Sequence, residues 1–75
     1  MVDPKLVFGR ALAMRAAALV LVHNHPSGNP QPSEADRRLT LTLSEAGKHL
    51  DLPVLDHVIV AGKAFVSFAD QGWLP

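Results

Sequence analysis

The chain has 75 residues, 48% of them hydrophobic, and seven Lys and Arg balance seven Asp and Glu. A chain of this length buries only about 60% of the surface that its unfolded form exposes, so we expect part of its apolar surface to contact further sequence or a second subunit in a homo-oligomer. The balanced charge does not support a nucleic-acid partner, because phosphate binding favours a basic excess. The lack of cysteine excludes disulfides and thiolate metal sites, which leaves histidine and carboxylate as metal ligands.

The sequence also argues against a membrane or secreted protein. Its longest apolar run, Ala16 to Val22, is far shorter than the roughly 20 residues that span a bilayer. The first four residues, Met-Val-Asp-Pro, lack the basic start and small-residue cleavage site of a secretion signal. We therefore expect a soluble, cytoplasmic protein without a membrane partner.

The first predicted element is a helix. Asp3 is a suitable N-cap, and Pro4 is favoured at the first helical position. Apolar residues recur at helical spacing from Val7 to Ala18. The pattern predicts a helix over residues 4–17.

A strand is predicted next. Residues 18–22 are all apolar, which is typical of a strand that is buried on both faces at the centre of a sheet. Because side chains alternate along a strand, His23 and His25 should project to one side and Asn24 to the other. Open α/β sheets tend to place their sites at the carboxyl ends of such strands.

A proline-stiffened loop and a second helix follow. Residues 26–32 contain three prolines, which disfavour helix and strand. Ser33 is predicted as an N-cap, with Asp36 at the capping-box position in place of the usual Glu. Residues 39–43 also alternate as a strand would, but the cap and the surrounding charged residues favour a helix that runs to about His49.

The last third of the chain predicts a hairpin. Val54 to Ala61 is rich in β-branched residues and reads as a strand, and a Gly-Lys turn leads into a second strand over Ala64 to Phe68. Residues 69–75 form a tail whose Trp73 and Leu74 should dock on the domain. The order helix, strand, helix, strand, strand indicates the α/β fold class.

His23, His25 and Asp36 together suggest a zinc site. Zinc binds imidazole nitrogen and carboxylate oxygen, and a catalytic site uses three protein ligands with one place left for water. Water bound there would have its pKa lowered to about 7. Ser33, three residues before Asp36, could donate its hydroxyl to the oxyanion of a tetrahedral intermediate.

These residues also carry a family resemblance. His23-Asn24-His25-Pro26 followed by Ser33 and Asp36 reproduces the H-x-H-P…S-x-x-D signature of JAMM (MPN/JAB) metalloproteases. The wider text of residues 23–36, with Leu-Asp-His-Val-Ile-Val at 55–60, closely resembles bacterial RadC proteins of that superfamily. The resemblance implies a cytidine-deaminase-like α/β sandwich, zinc held by His23, His25 and Asp36, and Ser33 near the reaction centre.

The sequence departs from the family pattern before His23. Active JAMM enzymes use an upstream glutamate on an early strand as general base, and here the one acidic residue before His23 is Asp3. RadC proteins also carry an early β-hairpin and often an N-terminal helical region. We therefore expect residues 1–75 to be a single RadC-like JAB/MPN domain without its N-terminal hairpin, either as a fragment or as a natural shortened relative.

Two functional hypotheses stay open. The first is a zinc-dependent hydrolase of the JAMM type that cleaves an amide or isopeptide bond in an unidentified peptide or protein. The second is a non-catalytic module that binds a partner or nucleic acid, in keeping with the family's historical label of DNA-repair protein. The lack of an upstream glutamate and the high apolar content motivate the second hypothesis.

Three further residues receive weaker interpretations. His57, beside Asp56 on the predicted second strand, is best interpreted as half of a structural hydrogen-bonded pair, with an outer contact to the metal site as the alternative. His49 suits the end of the helix dipole. Glu34 is the nearest carboxylate that could act as a base, but its position at the helix start disfavours that role.

Overall fold

A mixed three-stranded sheet organises the fold in the computed structural model, which describes residues 2–75. The strand order is β1-β2-β3, with β1 parallel to β2 and β3 antiparallel to it. The predicted order of elements is confirmed, with one short helix added at the end. The elements are α1 (Pro4–Ala13), β1 (Leu19–Asn24), α2 (Glu34–Leu50), β2 (Val54–Ala61), β3 (Ala64–Ser67) and α3 (Phe68–Gln71).

Helix α1 begins as predicted but ends four residues early. The Asp3 carboxylate caps it by accepting the amide of Lys5 at 2.9 Å. At the other end Arg15 takes a left-handed conformation with φ 55°, and the amide of Ala16 donates to the carbonyl of Ala11 at 2.9 Å. These two features form a Schellman motif at the helix end. The sequence gives no sign of it, because the apolar residues continue without a break from Ala16 onward.

Strand β1 lies at the edge of the sheet in the part of the chain described, so the prediction of a central strand is wrong. Within residues 2–75 it pairs with β2 alone. Leu19 and Leu21 face the helices and pack against the core. Val20 and Val22 point away and are 56% and 71% exposed. An all-apolar strand therefore has one covered face and one open face here.

Helix α2 has the predicted capping box. The Ser33 hydroxyl oxygen accepts the amide of Asp36 at 3.1 Å, and the Asp36 carboxylate accepts the amide of Ser33 at 2.8 Å. The helix ends at Asp51, which takes a left-handed φ of 55°, and the amide of Leu52 returns to the carbonyl of Gly47 at 2.8 Å. The helices and the chain after α2 meet in a core of Phe8, Ala11, Leu43 and Leu52.

The predicted hairpin is present, and Asp56 ties it to the added helix. The Asp56 carboxylate accepts hydrogen bonds from the Ser67 hydroxyl at 2.6 Å and the amide of Ala69 at 2.9 Å. Ser67 in turn caps α3 by accepting the amide of Asp70 at 3.2 Å. A one-turn helix gives little periodic signal, so the sequence pattern missed it.

The predicted docking of the tail is confirmed for Trp73. Its ring meets that of Phe68 edge-on, with centroids 5.6 Å apart, and the guanidinium carbon of Arg37 lies 4.8 Å from the Trp73 ring centroid. Leu74 is partly buried beside it. No helix among residues 2–75 is long and apolar enough to cross a membrane.

Two glycines in helices should respond oppositely to alanine. A Cβ at Gly47 would collide with the backbone carbonyl of Leu52, whereas a Cβ at Gly9 would meet nothing within 4 Å. Gly47→Ala should therefore lower the free energy of unfolding by about 3 kcal/mol. Gly9→Ala should raise it by about 0.5–1 kcal/mol, because alanine loses less entropy in a helix. Urea denaturation followed by circular dichroism measures both, and equal midpoints would contradict the packing at Gly47.

A second stability prediction concerns Asp56. Burial alone would raise the pKa of this carboxyl, but hydrogen bonds from Ser67, Ala69 and the His57 amide lower it below the usual 3.8. Asp56→Ala should reduce the free energy of unfolding by about 2 kcal/mol at pH 7, whereas Asp70→Ala, at an exposed carboxylate, should change it by less than about 0.5 kcal/mol.

The effect of Asp56 should also depend on pH. Because the folded pKa lies below the unfolded one, its stabilisation is complete above the usual pKa of 3.8 and is lost as the pH falls through the folded value. The difference between wild type and Asp56→Ala should therefore shrink in acid. A difference that stays constant from pH 7 to pH 2, measured by denaturation at each pH, would contradict this role.

Candidate metal centre

His23 and His25 reach the same side of the sheet, as strand alternation predicts. His23 is near the end of β1, and the amide of His25 still donates to the carbonyl of Val60 on β2, at 2.8 Å. The two imidazole rings lie edge-on with centroids 4.8 Å apart. Strand pairing therefore fixes the backbone of both residues, and their rings converge.

The proline-containing loop after β1 orients the His25 ring. The Nδ1 atom of His25 donates to the backbone carbonyl of Asn29 at 3.0 Å. Gly28 makes the turn possible with a φ of 84° and donates its amide to the carbonyl of His25 at 3.2 Å. A carbonyl only accepts hydrogen bonds, so Nδ1 carries a proton and Nε2 is the nitrogen that can bind a metal.

Asp36 lies between the two histidines and is 3% exposed. Its Oδ1 is 2.8 Å from Nδ1 of His23, and its Oδ2 is 3.0 Å from Nε2 of His25. Burial by itself raises the pKa of Asp36, but the hydrogen bonds with Ser33 and the contact with His23 outweigh it, so the pKa falls below 3.8. The carboxylate is therefore ionised at neutral pH, which a metal ligand requires.

Ser33 lies beside this carboxylate and caps helix α2. Its oxygen accepts the amide of Asp36, and its own amide is bonded to the Asp36 carboxylate. The cap uses a lone pair of the hydroxyl oxygen and leaves its proton free. Ser33 is exposed, so that proton can be donated to a molecule arriving from solvent.

His57 is a further member of the cluster, and the motif of residues 23–36 does not include it. Asp56 accepts the backbone amide of His57 at 2.7 Å, but the imidazole turns elsewhere and bonds through Nδ1 to the Thr40 hydroxyl at 2.6 Å. One ligand atom from each of His23, Asp36 and His57 lies within 4.8 Å of the other two. The predicted hydrogen-bonded pair of His57 with Asp56 is therefore present, but only through the backbone amide, while the imidazole joins the donor cluster.

The environment of His57 keeps its ring rigid and neutral. It is 1% exposed and stacks on Phe68, with ring centroids 4.6 Å apart. Burial lowers the pKa of His57. The negative charge of Asp36 raises this pKa by less, so it stays below the usual 6.5. The sequence signal that could have identified His57 is β-strand alternation, which puts it on the same buried face of β2 as Ile59. The parallel register then brings that face near His23.

The two remaining candidates lie apart from this cluster. Glu34 is the first residue of α2 and is exposed, and His49 is exposed in the last turn of the same helix. Neither belongs to the group of potential metal ligands found among residues 2–75. The helix-terminal position predicted for both is confirmed.

The donor set fits a divalent transition metal. Atoms bound tetrahedrally to one zinc lie about 3.3 Å apart, given bonds of about 2.0–2.1 Å. The contacts of Asp36 with His23 and His25, at 2.8 and 3.0 Å, are close to that separation, so an ion could be accepted with small movements. Imidazole suits zinc, copper, iron and nickel, and the geometry does not select among them.

Comparisons with known proteins agree with the motif. The family model described as "RadC-like JAB domain" matches residues 1–73. A UPF0758 protein of Vibrio cholerae is 55% identical over 73 residues, which are 97% of this chain and 46% of that protein. A UPF0758 protein of Pseudomonas fluorescens is 54% identical over 74 residues, covering 99% of this chain and 33% of that protein.

A third relative, a UPF0758 protein of Chromohalobacter salexigens, is 53% identical over 73 residues, with 97% of this chain and 33% of that protein covered. The chain thus spans from a third to just under half of the length of these curated relatives. Its small α/β fold with a mixed sheet is consistent with part of a JAB/MPN fold. The chain belongs to the RadC-like JAB domain family, and through that domain to the JAMM superfamily.

Proposed function

We propose that the chain is a zinc-binding domain of a metallohydrolase that cleaves an amide or isopeptide bond in a peptide or protein, with His23, His25 and Asp36 as ligands. The observation that carries this proposal is the position of the buried Asp36 carboxylate. Each of its two oxygens meets a nitrogen of a different histidine, at 2.8 and 3.0 Å. Two imidazoles and one carboxylate are a ligand set found in catalytic zinc sites.

Zinc is the metal proposed because it accepts this mixture of ligands and leaves a fourth position for water. A bound zinc ion supplies Lewis acidity that activates water and polarises a carbonyl group. The chain's own residues orient the ligands. The amide of Ser33 fixes the Asp36 carboxylate, and the carbonyl of Asn29 fixes the His25 ring.

Ser33 is proposed to contribute to the reaction directly. Its hydroxyl proton is free while its oxygen caps α2, and it stands next to the carboxylate that would hold the metal. A hydroxyl in that place can donate to the negative oxygen that develops when water adds to an amide carbonyl. The same residue can thus hold the ligand-bearing helix start and stabilise the transition state.

The extent of the domain and its location are parts of the same proposal. We place residues 1–75 in a single JAB/MPN domain of a cytoplasmic protein. The chain covers only part of the length of its relatives, so hydrolysis is proposed for the whole protein. The metal site is the observation that supports it.

A second candidate function is a non-catalytic module that binds a protein partner. Val20 and Val22 expose an apolar face on β1, and an open edge strand with such a face is a common place for another chain to pair. The chain has equal numbers of acidic and basic residues, so DNA is a less suitable partner. Zinc-dependent cleavage of a substrate by the protein would support the hydrolase and contradict the non-catalytic module.

Metal binding can be tested directly on the chain. We expect the purified protein to bind one zinc ion, and Asp36→Asn to weaken binding by more than about 100-fold, because a direct ligand should matter more than an outer contact. Asp3→Asn is the matched control, since asparagine caps a helix as well as aspartate does. Competition with a chromogenic chelator measures the affinities. A metal content unchanged by Asp36→Asn would refute the ligand assignment.

The role of Ser33 can be separated from its cap. Ser33→Gly removes the hydroxyl at a helix N-cap, where glycine costs only a few tenths of a kcal/mol. The zinc-loaded variant should hydrolyse a peptide or isopeptide substrate with a kcat about 100-fold lower and bind zinc as the wild type does. Equal kcat values would rule out the oxyanion role. Failure of the zinc-loaded wild type to cleave any substrate in a broad peptide and isopeptide panel would favour the binding module.

A further inference from the structure

We propose that His57 is a further ligand of the same metal ion, binding through Nε2, an inference that rests on the metal centre proposed above. The H-x-H-P…S-x-x-D motif does not include this residue. It comes from a different strand, β2, and lies on the buried face of the sheet. Three features support it: the tautomer of its ring, its distance from the other donors and its rigid seat.

The tautomer follows from the bonds of Thr40. The Thr40 hydroxyl has one proton and donates it to the backbone carbonyl of Asp36 at 2.8 Å, since a carbonyl can only accept. The same oxygen lies 2.6 Å from Nδ1 of His57, so it must accept there and Nδ1 must be the donor. In the neutral ring the lone pair is then on Nε2. No other bond to Nε2 occurs among the described residues.

The position of His57 matches a ligand of this centre. In the parallel register Leu21 lies opposite His57 and His23 opposite Ile59, so the two histidines share a face of the sheet. Their ring centroids are 6.3 Å apart and their planes differ by 25°. A ligand atom of each, and one of Asp36, lie within 4.8 Å of one another. Atoms bound tetrahedrally to one zinc lie about 3.3 Å apart, so the widest of these separations, 4.8 Å, would have to close by about 1.5 Å.

The surroundings hold the ring in place and leave a route to it. Phe68 stacks on the His57 ring with centroids 4.6 Å apart, which restricts the orientation of that ring. A cavity of about 270 Å³ reaches both His57 and His23 and has Leu21 and Leu39 among its walls. An ion and its ligands could therefore meet without opening the core.

His57 changes the composition of the centre. Helix α2 would supply both the Asp36 carboxylate and, one turn later, the Thr40 hydroxyl that orients His57, as outer partners commonly orient metal-binding histidines. The protein would then offer three imidazoles and one carboxylate. His57 would then take the fourth position, and the water of the proposed reaction would bind as a fifth ligand, a coordination number that catalytic zinc sites can reach.

Nitrogen NMR of the unmodified chain tests the inference without depending on a variant that folds. Long-range ¹H–¹⁵N correlations should show a protonated Nδ1 and an unprotonated Nε2 for His57 in the metal-free protein. One equivalent of zinc should shift the Nε2 resonance of His57 together with a nitrogen of His23 and of His25. If His23 and His25 respond and His57 does not, the inference fails and the metal centre stands. If no histidine responds, both fail.

Variants give an independent readout through zinc affinity, measured by chelator competition. Thr40→Val removes only the orienting hydroxyl and should weaken binding about 10-fold. His57→Ala should weaken it by more than about 100-fold, and His49→Ala, at an exposed histidine in the last turn of α2, should leave it unchanged. A folded His57→Ala protein that loses no more affinity than Thr40→Val would overturn direct ligation.

Discussion

The carboxylate of Asp36 is the group on which the arrangement of the site depends. It occupies the third position of α2, where it accepts the amide of Ser33 and completes the capping box. The same two oxygens face His23 and His25. The hydrogen bond that caps α2 therefore also sets the direction in which the carboxylate faces the histidines. The position allows little variation, since glutamate would place its oxygens one carbon further out.

The parallel pairing of β1 with β2 supplies the other half of the geometry. It continues to the amide of His25, which is bonded to Val60, so both histidines are held by sheet hydrogen bonds and the loop adjusts only the His25 ring. On the far side of β2, Asp56 links the strand to β3 and α3. Phe68, the first residue of α3, stacks on His57. The short helix α3 thus places the buried Phe68 in the core and sets one wall of the donor cluster.

Local signals allowed much of this to be predicted from the sequence. The Ser33–Asp36 cap, the strand over Val54–Ala61 and the hairpin after it each depend on neighbouring residues, and all are present. The end of α1 was mispredicted because a left-handed Arg15 has no sequence signature as strong as glycine would give. The environment of β1 was mispredicted because burial depends on what covers a strand, and apolar letters do not specify that.

His57 shows the same limit at the candidate site. A motif read along the chain captures residues 23–36, but the approach of β2 to β1 is a long-range pairing whose register no short pattern specifies. The bond that turns the imidazole away from Asp56 comes from Thr40, seventeen positions earlier. Alternation identified the face of β2, and only the tertiary structure showed which groups that face meets.

The exposed side of β1 has a consequence for access. Within residues 2–75 the strand has partners on one edge alone, so the backbone amides and carbonyls of its other edge are available to a further strand. An added strand would run about 4.8 Å from β1 and pass directly beside His23, which lies near the carboxyl end of β1. Any extended segment recruited there, from the same polypeptide or from another molecule, would border the donor cluster where it passes His23. Sheet extension and entry to the site are in this way governed by the same edge.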